Sequence, residues 1–233
     1  MGGRRAMTDC CALALEASSD RLGLAARRGQ QVEYFEAQPA RTATADVYAH
    51  ARELLGRLGA GFADLDYVAF GRGPGSFTGV RVAAAVAQAL AYARVIPVCR
   101  ISSLAVLAAG AGPGLHAICV DARMGRVYAA LYQVTGDAAP LALMPEMLVD
   151  PATFRFPGDA ACSALGDGWQ AWPALLQRHQ SRLAALHPGL LPSALDLLSM
   201  ADRDFAAGRT VAAADALPEY LGQAPVSLPA RTE

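Results

Sequence analysis

The sequence contains no lysine and no asparagine. Without lysine there is no P-loop cation for a phosphate and no Schiff-base amine; without asparagine there is no N-glycosylation acceptor. All 20 basic residues are therefore arginine, set against 21 acidic ones for a formal net charge of −1. They are spread along the chain, so the basic footprint that holds a nucleic-acid backbone is missing, and an RNA role needs a partner. Five cysteines, Cys10, Cys11, Cys99, Cys119 and Cys162, form no C-x-x-C pair and leave an odd one over. That argues against a disulfide framework or a structural zinc and fits a reducing cytoplasm. His50, His116, His179 and His187 include no pair spaced to share a helical face, which disfavours a histidine metal site. No stretch reaches 18 uninterrupted apolar residues, so no membrane span is expected. The apolar run 10–15 is cut by Glu16 and too short for a signal peptide, and Ala6 breaks the myristoylation pattern.

What remains is 233 residues of globular composition, 54% hydrophobic, enough for one large or two small domains. Alternation and turn residues at Ser18-Ser19-Asp20 and Arg28-Gly29 predict strands over 11–16, 22–27 and 31–36, an antiparallel meander. Val47, Ala51, Leu54 and Leu58 recur at helical spacing and predict a helix over 44–58. A strand at 67–70, a glycine-rich loop, a helix over 79–94 and a strand at 97–101 complete an α/β layer with a mixed sheet. A second unit opens with a short helix near 102–107 and a break at 110–114. Strands at 115–121 and 126–134 follow, joined by a tight turn at Ala122-Arg123-Met124-Gly125, and then helices near 174–185 and 193–207. The expected division is a tail over 1–8, subdomains over 9–103 and 104–221, and a second tail over 222–233.

The most informative stretch is Gly71-Arg72-Gly73-Pro74-Gly75-Ser76-Phe77-Thr78-Gly79, set between a strand and a helix. Such a junction offers free backbone N–H groups and the positive helix end to an anion. Its spacing is not that of G-x-G-x-x-G, and without lysine it is not a Walker A loop. Gly73 and Gly75 also suit a tight turn, with Ser76 or Thr78 capping the helix. Ser76 lacks a G-x-S-x-G context and has no histidine or aspartate tied to it by sequence, so a nucleophile is not indicated.

This loop, the segment from Pro97 through Ser102-Ser103-Leu104, Val120-Asp121-Ala122-Arg123-Met124-Gly125-Arg126-Val127-Tyr128 and Gly166-Asp167-Gly168-Trp169-Gln170-Ala171-Trp172-Pro173 together resemble the TsaB (YeaZ) family. The resemblance runs from about residue 11 to 221. It implies an α/β fold of two subdomains, each a mixed sheet flanked by helices, of the actin-like, Hsp70-like and sugar-kinase-like ATPase class. It further implies a noncatalytic scaffold role in forming N6-threonylcarbamoyladenosine in tRNA next to the anticodon. The implied partners are a TsaD-like catalytic paralogue and a TsaE-like ATPase, with a homodimer when alone and tRNA reached only through the complex. No cofactor is implied to bind this chain tightly; the complex uses ATP and magnesium.

The resemblance implies a vestigial nucleotide or anion site at Glu16, Gly73, Gly75, Ser76, Thr78 and Asp121. Related ATPases place a carboxylate and then a glycine after the first strand, whereas this chain has Glu16-Ala17-Ser18-Ser19. A longer carboxylate and an extra Cβ crowd a metal-phosphate there. Asp121 is likewise followed by Ala122, with glycine only at Gly125. The paired metal-binding histidines of TsaD-like enzymes have no counterpart. Ala43 stands where TsaB sequences often carry histidine, and Tyr220-Leu221-Gly222 replaces the usual Tyr-Leu-Arg. The alternatives are a small ATP-dependent phosphotransferase or ATPase using Glu16, Gly73, Gly75 and Asp121, and a peptidase using Ser76.

The scaffold reading rests on two helices. Along 79–94, Val82, Val86, Ala89, Leu90 and Ala93 are expected to face the sheet, leaving Val80, Ala84, Ala87, Gln88, Ala91 and Val95 as a small, apolar outer stripe. In the first helix Val47, Ala51, Leu54 and Leu58 point inward and Ala45, Ala49, Arg52 and Gly56 outward. Gly56 costs about 1 kcal/mol relative to alanine, which a close partner backbone would offset. The expected partner interface is therefore Ala45, Ala49, Arg52, Gly56, Val80, Ala84, Ala87, Gln88 and Ala91, flat enough for helix axes about 8 Å apart.

Overall fold

A computed structural model describes residues 10–37, 44–136 and 138–222. The tails at 1–8 and beyond Gly222, and Ala43, lie outside the described residues. The meander forms as β1 (Cys11–Glu16), β2 (Leu22–Arg28) and β3 (Gln31–Ala37), followed by α1 (Thr44–Arg57), β4 (Tyr67–Gly71), α2 (Phe77–Arg94) and β5 (Val98–Ile101). The strand order is β3-β2-β1-β4-β5, with β1, β4 and β5 parallel. The chain continues through α3 (Ser103–Gly110), β6 (Gly114–Arg123), β7 (Arg126–Val134), β8 (Leu141–Val149), β9 (Cys162–Leu165), α4 (Gly168–Ala171), α5 (Pro173–His179) and β10 (Leu183–His187) to α6 (Ala194–Ala206). The second sheet is ordered β10-β9-β6-β7-β8, with β6, β9 and β10 parallel. Each half is thus an antiparallel meander extended by two parallel strands, the same topology twice.

The first sheet is covered on both faces, and the sequence of β1 sets how closely each cover lies. Cys11, Leu13 and Leu15 point to the face that also holds Val47 and Leu54 of α1 and Val86 and Leu90 of α2. Ala12 and Ala14 point to the other, where Leu197, Leu198 and Ala201 of α6 fill the space that small side chains leave. A strand buried on both faces reads as a continuous apolar run, as CALALE does. All five cysteines are buried and free. Burial pushes the Cys10 thiol up to about 12 and the Cys11 thiol to about 11, so they pack as small protonated hydrophobes.

The helix expected over 174–185 stops at His179, and Leu183–His187 is a strand instead. Alanine and leucine favour helix locally, but parallel pairing with β9 overrides that preference. Nor is 104–221 one unit. Helix α6 returns to the first sheet, where Arg27 pairs with Asp202 at 2.7 Å and the Tyr67 hydroxyl bonds the same carboxylate. The segment after it stays there: Val211 bridges Val98, and the 3-10 turn Ala213–Asp215 lies by α2. Two sheets meet near Ser103, while the last 30 residues described belong largely with the first.

Candidate functional site

An open cleft of about 900 Å³ separates the two halves. The β1–β2 turn supplies Ser18, Ser19 and Asp20, and the loop after β4 supplies Gly75, Ser76 and Phe77. Facing them are Asp121, Arg123, Met124 and Arg126 of the β6–β7 hairpin, with Asp167 beside them. Of the six residues expected at a vestigial anion site, Gly75, Ser76 and Asp121 line this cleft; Glu16, Gly73 and Thr78 do not.

The glycine loop folds down onto the chain's own backbone. Ser76 N donates to Ser18 O at 2.7 Å, and Ser76 Oγ accepts from Gly79 N at 3.3 Å as the α2 cap. A Cβ added at Gly75 would stand 2.2 Å from Ser18 O, and one at Gly79 only 1.8 Å from Ala17 O. Gly73 has φ 91°, and its carbonyl accepts from Ser103 N at 3.0 Å. These glycines therefore serve a close approach of two loops, with Ser18 O bonded at the start of α2 and Ala17 O packed against Gly79. At this junction the Ser76 amide is taken by Ser18 O, and the β1–β2 turn packs directly against Gly75 and Gly79.

Glu16 is buried, held behind Ser18 and Ser103 of the cleft wall. Ser18 N donates to its Oε1 at 2.7 Å and Ser103 Oγ to its Oε2 at 3.0 Å. The carboxylate lies where Gly71 leaves room, since a Cβ there would come within 2.0 Å of Oε2. Burial raises its pKa, against the opposing effect of those hydrogen bonds. A carboxyl whose folded pKa exceeds the unfolded value of about 4.3 contributes stability fully below that pH and loses it as pH rises through the folded pKa. Glu16→Gln keeps the size and can still accept from Ser18 N. Its urea midpoint is expected to gain on wild type as pH rises above about 4.3; a midpoint difference independent of pH would contradict the assignment.

Asp121 instead holds the hairpin. Its Oδ1 accepts from Arg123 N at 3.1 Å, while its own N donates to Asp167 Oδ1 at 2.9 Å. Glu16 is thus held inside the first half by Ser18 and Ser103, and Asp121 on the cleft wall by the hairpin backbone and Asp167. Among the described residues no group of three His, Cys, Asp or Glu side chains is placed to hold a metal.

The expected stripe on α2 needs correction. Val80, Ala84, Ala87 and Ala91 are buried, Gln88 is half-buried, and Ala89 and Ala93, expected inside, are exposed. The exposed face carries Phe77, Arg81, Ala85, Ala89 and Tyr92, one residue out of phase with the expectation, or 100° around the helix. Alanine on every side gave the helix little contrast; Arg81 and Gln88 were the polar markers of its true outer face. On α1 the inward set Val47, Ala51, Leu54 and Leu58 is buried, while Ala49, Arg52 and Gly56 are exposed. A Cβ at Gly56 would meet nothing within 4 Å. The side chain of Ala45 lies outside the described residues.

Two clusters escaped the sequence reading. The Arg81 guanidinium lies 3.2 Å from the centroid of the Phe77 ring and donates from Nε to Tyr220 Oη at 2.8 Å, fastening the C-terminal segment to α2. The i, i+4 spacing of Phe77 and Arg81 was the legible half of that clamp. Arg72 of the first half reaches Glu146 of β8 at 3.5 Å and also pairs with Glu219. Glu146 accepts from the Tyr132 hydroxyl at 2.7 Å and bonds Ser102, so this network ties the two halves together.

The family tRNA N6-adenosine threonylcarbamoyltransferase (TsaD) matches residues 40–194. The tRNA threonylcarbamoyladenosine biosynthesis protein TsaB of Escherichia coli (strain K12) is 38% identical over 200 residues, covering 81% of this chain and 84% of that protein. TsaB of Haemophilus influenzae is 31% identical over 229 residues, covering 92% and 94%. The solved structure of YeaZ from Pseudomonas aeruginosa superposes with a TM-score of 0.82 at 36% identity, covering 91% of this chain and all of that one.

Proposed function

The chain belongs to the TsaB family, with its two-subdomain actin-like fold and its role in tRNA threonylcarbamoyladenosine biosynthesis, and from that premise we propose that it acts there as a noncatalytic subunit. Its partner is a TsaD-like catalytic paralogue, joined by a TsaE-like ATPase, and tRNA is reached only through the assembly, in the cytoplasm. ATP and magnesium are used by the assembly; this chain holds no cofactor tightly, and alone it forms a homodimer.

The observation that carries this reading is the exposed face of α2. Tyr92 is 82% exposed and Val95 93%, beside Ala85 and Ala89, where a solvated helix would present charge. The neighbouring α1 presents a mixed face, with small Ala49 and Gly56 beside charged Arg52 and Glu53. Small side chains let a partner's helices approach closely, and the tyrosine supplies an aromatic anchor. The crowded glycine loop and the inward-turned Glu16 support the noncatalytic part.

The test is a double substitution on that face. Ala85→Glu with Ala89→Glu is expected to leave the melting temperature within about 2 °C of wild type, since both sites are exposed. Co-purification with the TsaD-like protein and reconstituted threonylcarbamoyl transfer should both be lost. Retained binding would reject the surface, and magnesium-dependent ATP turnover by the isolated chain would reject the noncatalytic role.

A further inference from the structure

The tip of the β6–β7 hairpin is built against conformational preference. Arg123, Met124 and Gly125 all have left-handed backbones, with φ of 62°, 50° and 75°. Only glycine takes that conformation freely; a side chain brings its Cβ against the following carbonyl. A tight hairpin that merely turns is served by Asn-Gly or Gly-Gly at such positions. This one spends a methionine there and leaves it 97% exposed, so no contact within the chain offsets the strain. The Arg123 side chain is 76% exposed with its guanidinium 3.8 Å from Asp121, and Arg126 is exposed beside it. Strain of this kind persists where it serves a contact made outside the molecule.

We propose that this tip is a second anchor for the catalytic partner, offering Met124 between two arginines to an apolar pocket rimmed by carboxylates. The inference rests on the functional reading above and adds a contact beyond the helices. Its position supports that occupant: Met124 and Phe77 line the same cleft, and Phe77 opens the exposed row of α2 that Tyr92 continues. A body covering that row reaches the cleft mouth. Methionine is unbranched and polarisable, suited to filling a pocket in another protein. RNA is disfavoured, because Asp20, Asp121 and Asp167 line the same cleft and oppose phosphate.

Met124→Gly separates strain from contact. The free chain should gain about 2–4 °C in melting temperature, because glycine relieves the left-handed backbone. Its Kd for the purified TsaD-like protein, by calorimetry at fixed salt, should rise about tenfold or more as the anchor is lost. Arg126→Glu should weaken the same association, with the loss growing at low salt as repulsion is less screened. Equal affinity of Met124→Gly and wild type would overturn the anchor while leaving the helix surface standing. Failure of wild type itself to bind the TsaD-like protein would instead sink the functional reading. A Met124→Gly complex that assembles with unchanged affinity but loses tRNA would also overturn the proposal, assigning the tip to RNA.

Discussion

Replacing both Ala84 and Ala87 with glutamate is expected to leave no folded chain to assay. These positions are 2% and 0% exposed and belong to the cluster that joins α2 to Leu13, Leu15 and Phe70 of the first sheet. Two carboxylates there would each be desolvated without a partner, and the added volume would separate helix from sheet. A buried unpaired charge costs several kcal/mol, and overpacking adds about 1–3 kcal/mol per site. Together they rival the whole stability of a domain, about 5–15 kcal/mol. Far-ultraviolet circular dichroism and a thermal scan should show no cooperative transition, or the protein should be recovered only as aggregate. A variant that melts like wild type would mean that α2 is rotated by 100° from its position here, restoring the stripe read from the sequence. The contrast with Ala85→Glu and Ala89→Glu is the useful result, because residues one or two positions apart then separate folding from partner binding.

That one-residue offset shows where sequence pattern stops being informative. β1 was legible to the residue and β7 likewise, because turn residues bracket each apolar run. Helix α6 was nearly so, since Ser193 caps it and Leu197, Leu198 and Ala201 mark a single face. Helix α2 was legible as a helix but not in orientation: seven alanines in 18 residues fit either phase, and only the sheet beneath decides. β8 was missed because Pro145 interrupts it and two bulges break its alternation, both tolerated on an edge strand. At the candidate site the glycine pattern was plain, but its meaning depended on contacts distant in sequence. Whether Gly79 faces a phosphate or Ala17 O is set by how the β1–β2 turn lies, and Glu16 turns inward because Gly71 and Ser103 leave it a polar niche.

The glycine loop allows the sharpest test of that reading, through Gly79→Ala. The new methyl would sit 1.8 Å from Ala17 O, with backbone on both sides of the contact. Neither side can yield cheaply: Gly79 lies in the first turn of α2, whose Val80 is buried, and Ala17 follows directly on the fully buried β1. Relief would require moving the β1–β2 turn, breaking the Ser76 N to Ser18 O bond and the fit of Gly75 against Ser18. Alanine is the better helix former by about 1 kcal/mol, so propensity alone predicts stabilisation. The steric term should win, giving a net loss of about 2–4 kcal/mol by urea unfolding with an unchanged m-value. If Gly79→Ala instead proves as stable as wild type, the two loops stand apart in solution. The junction then has room for a phosphate, and the geometric ground for calling this chain noncatalytic is gone. A loss of stability that ATP and magnesium fail to alter has the opposite meaning: the glycines are retained for packing one loop upon another, and the chain's contribution lies on its outer faces.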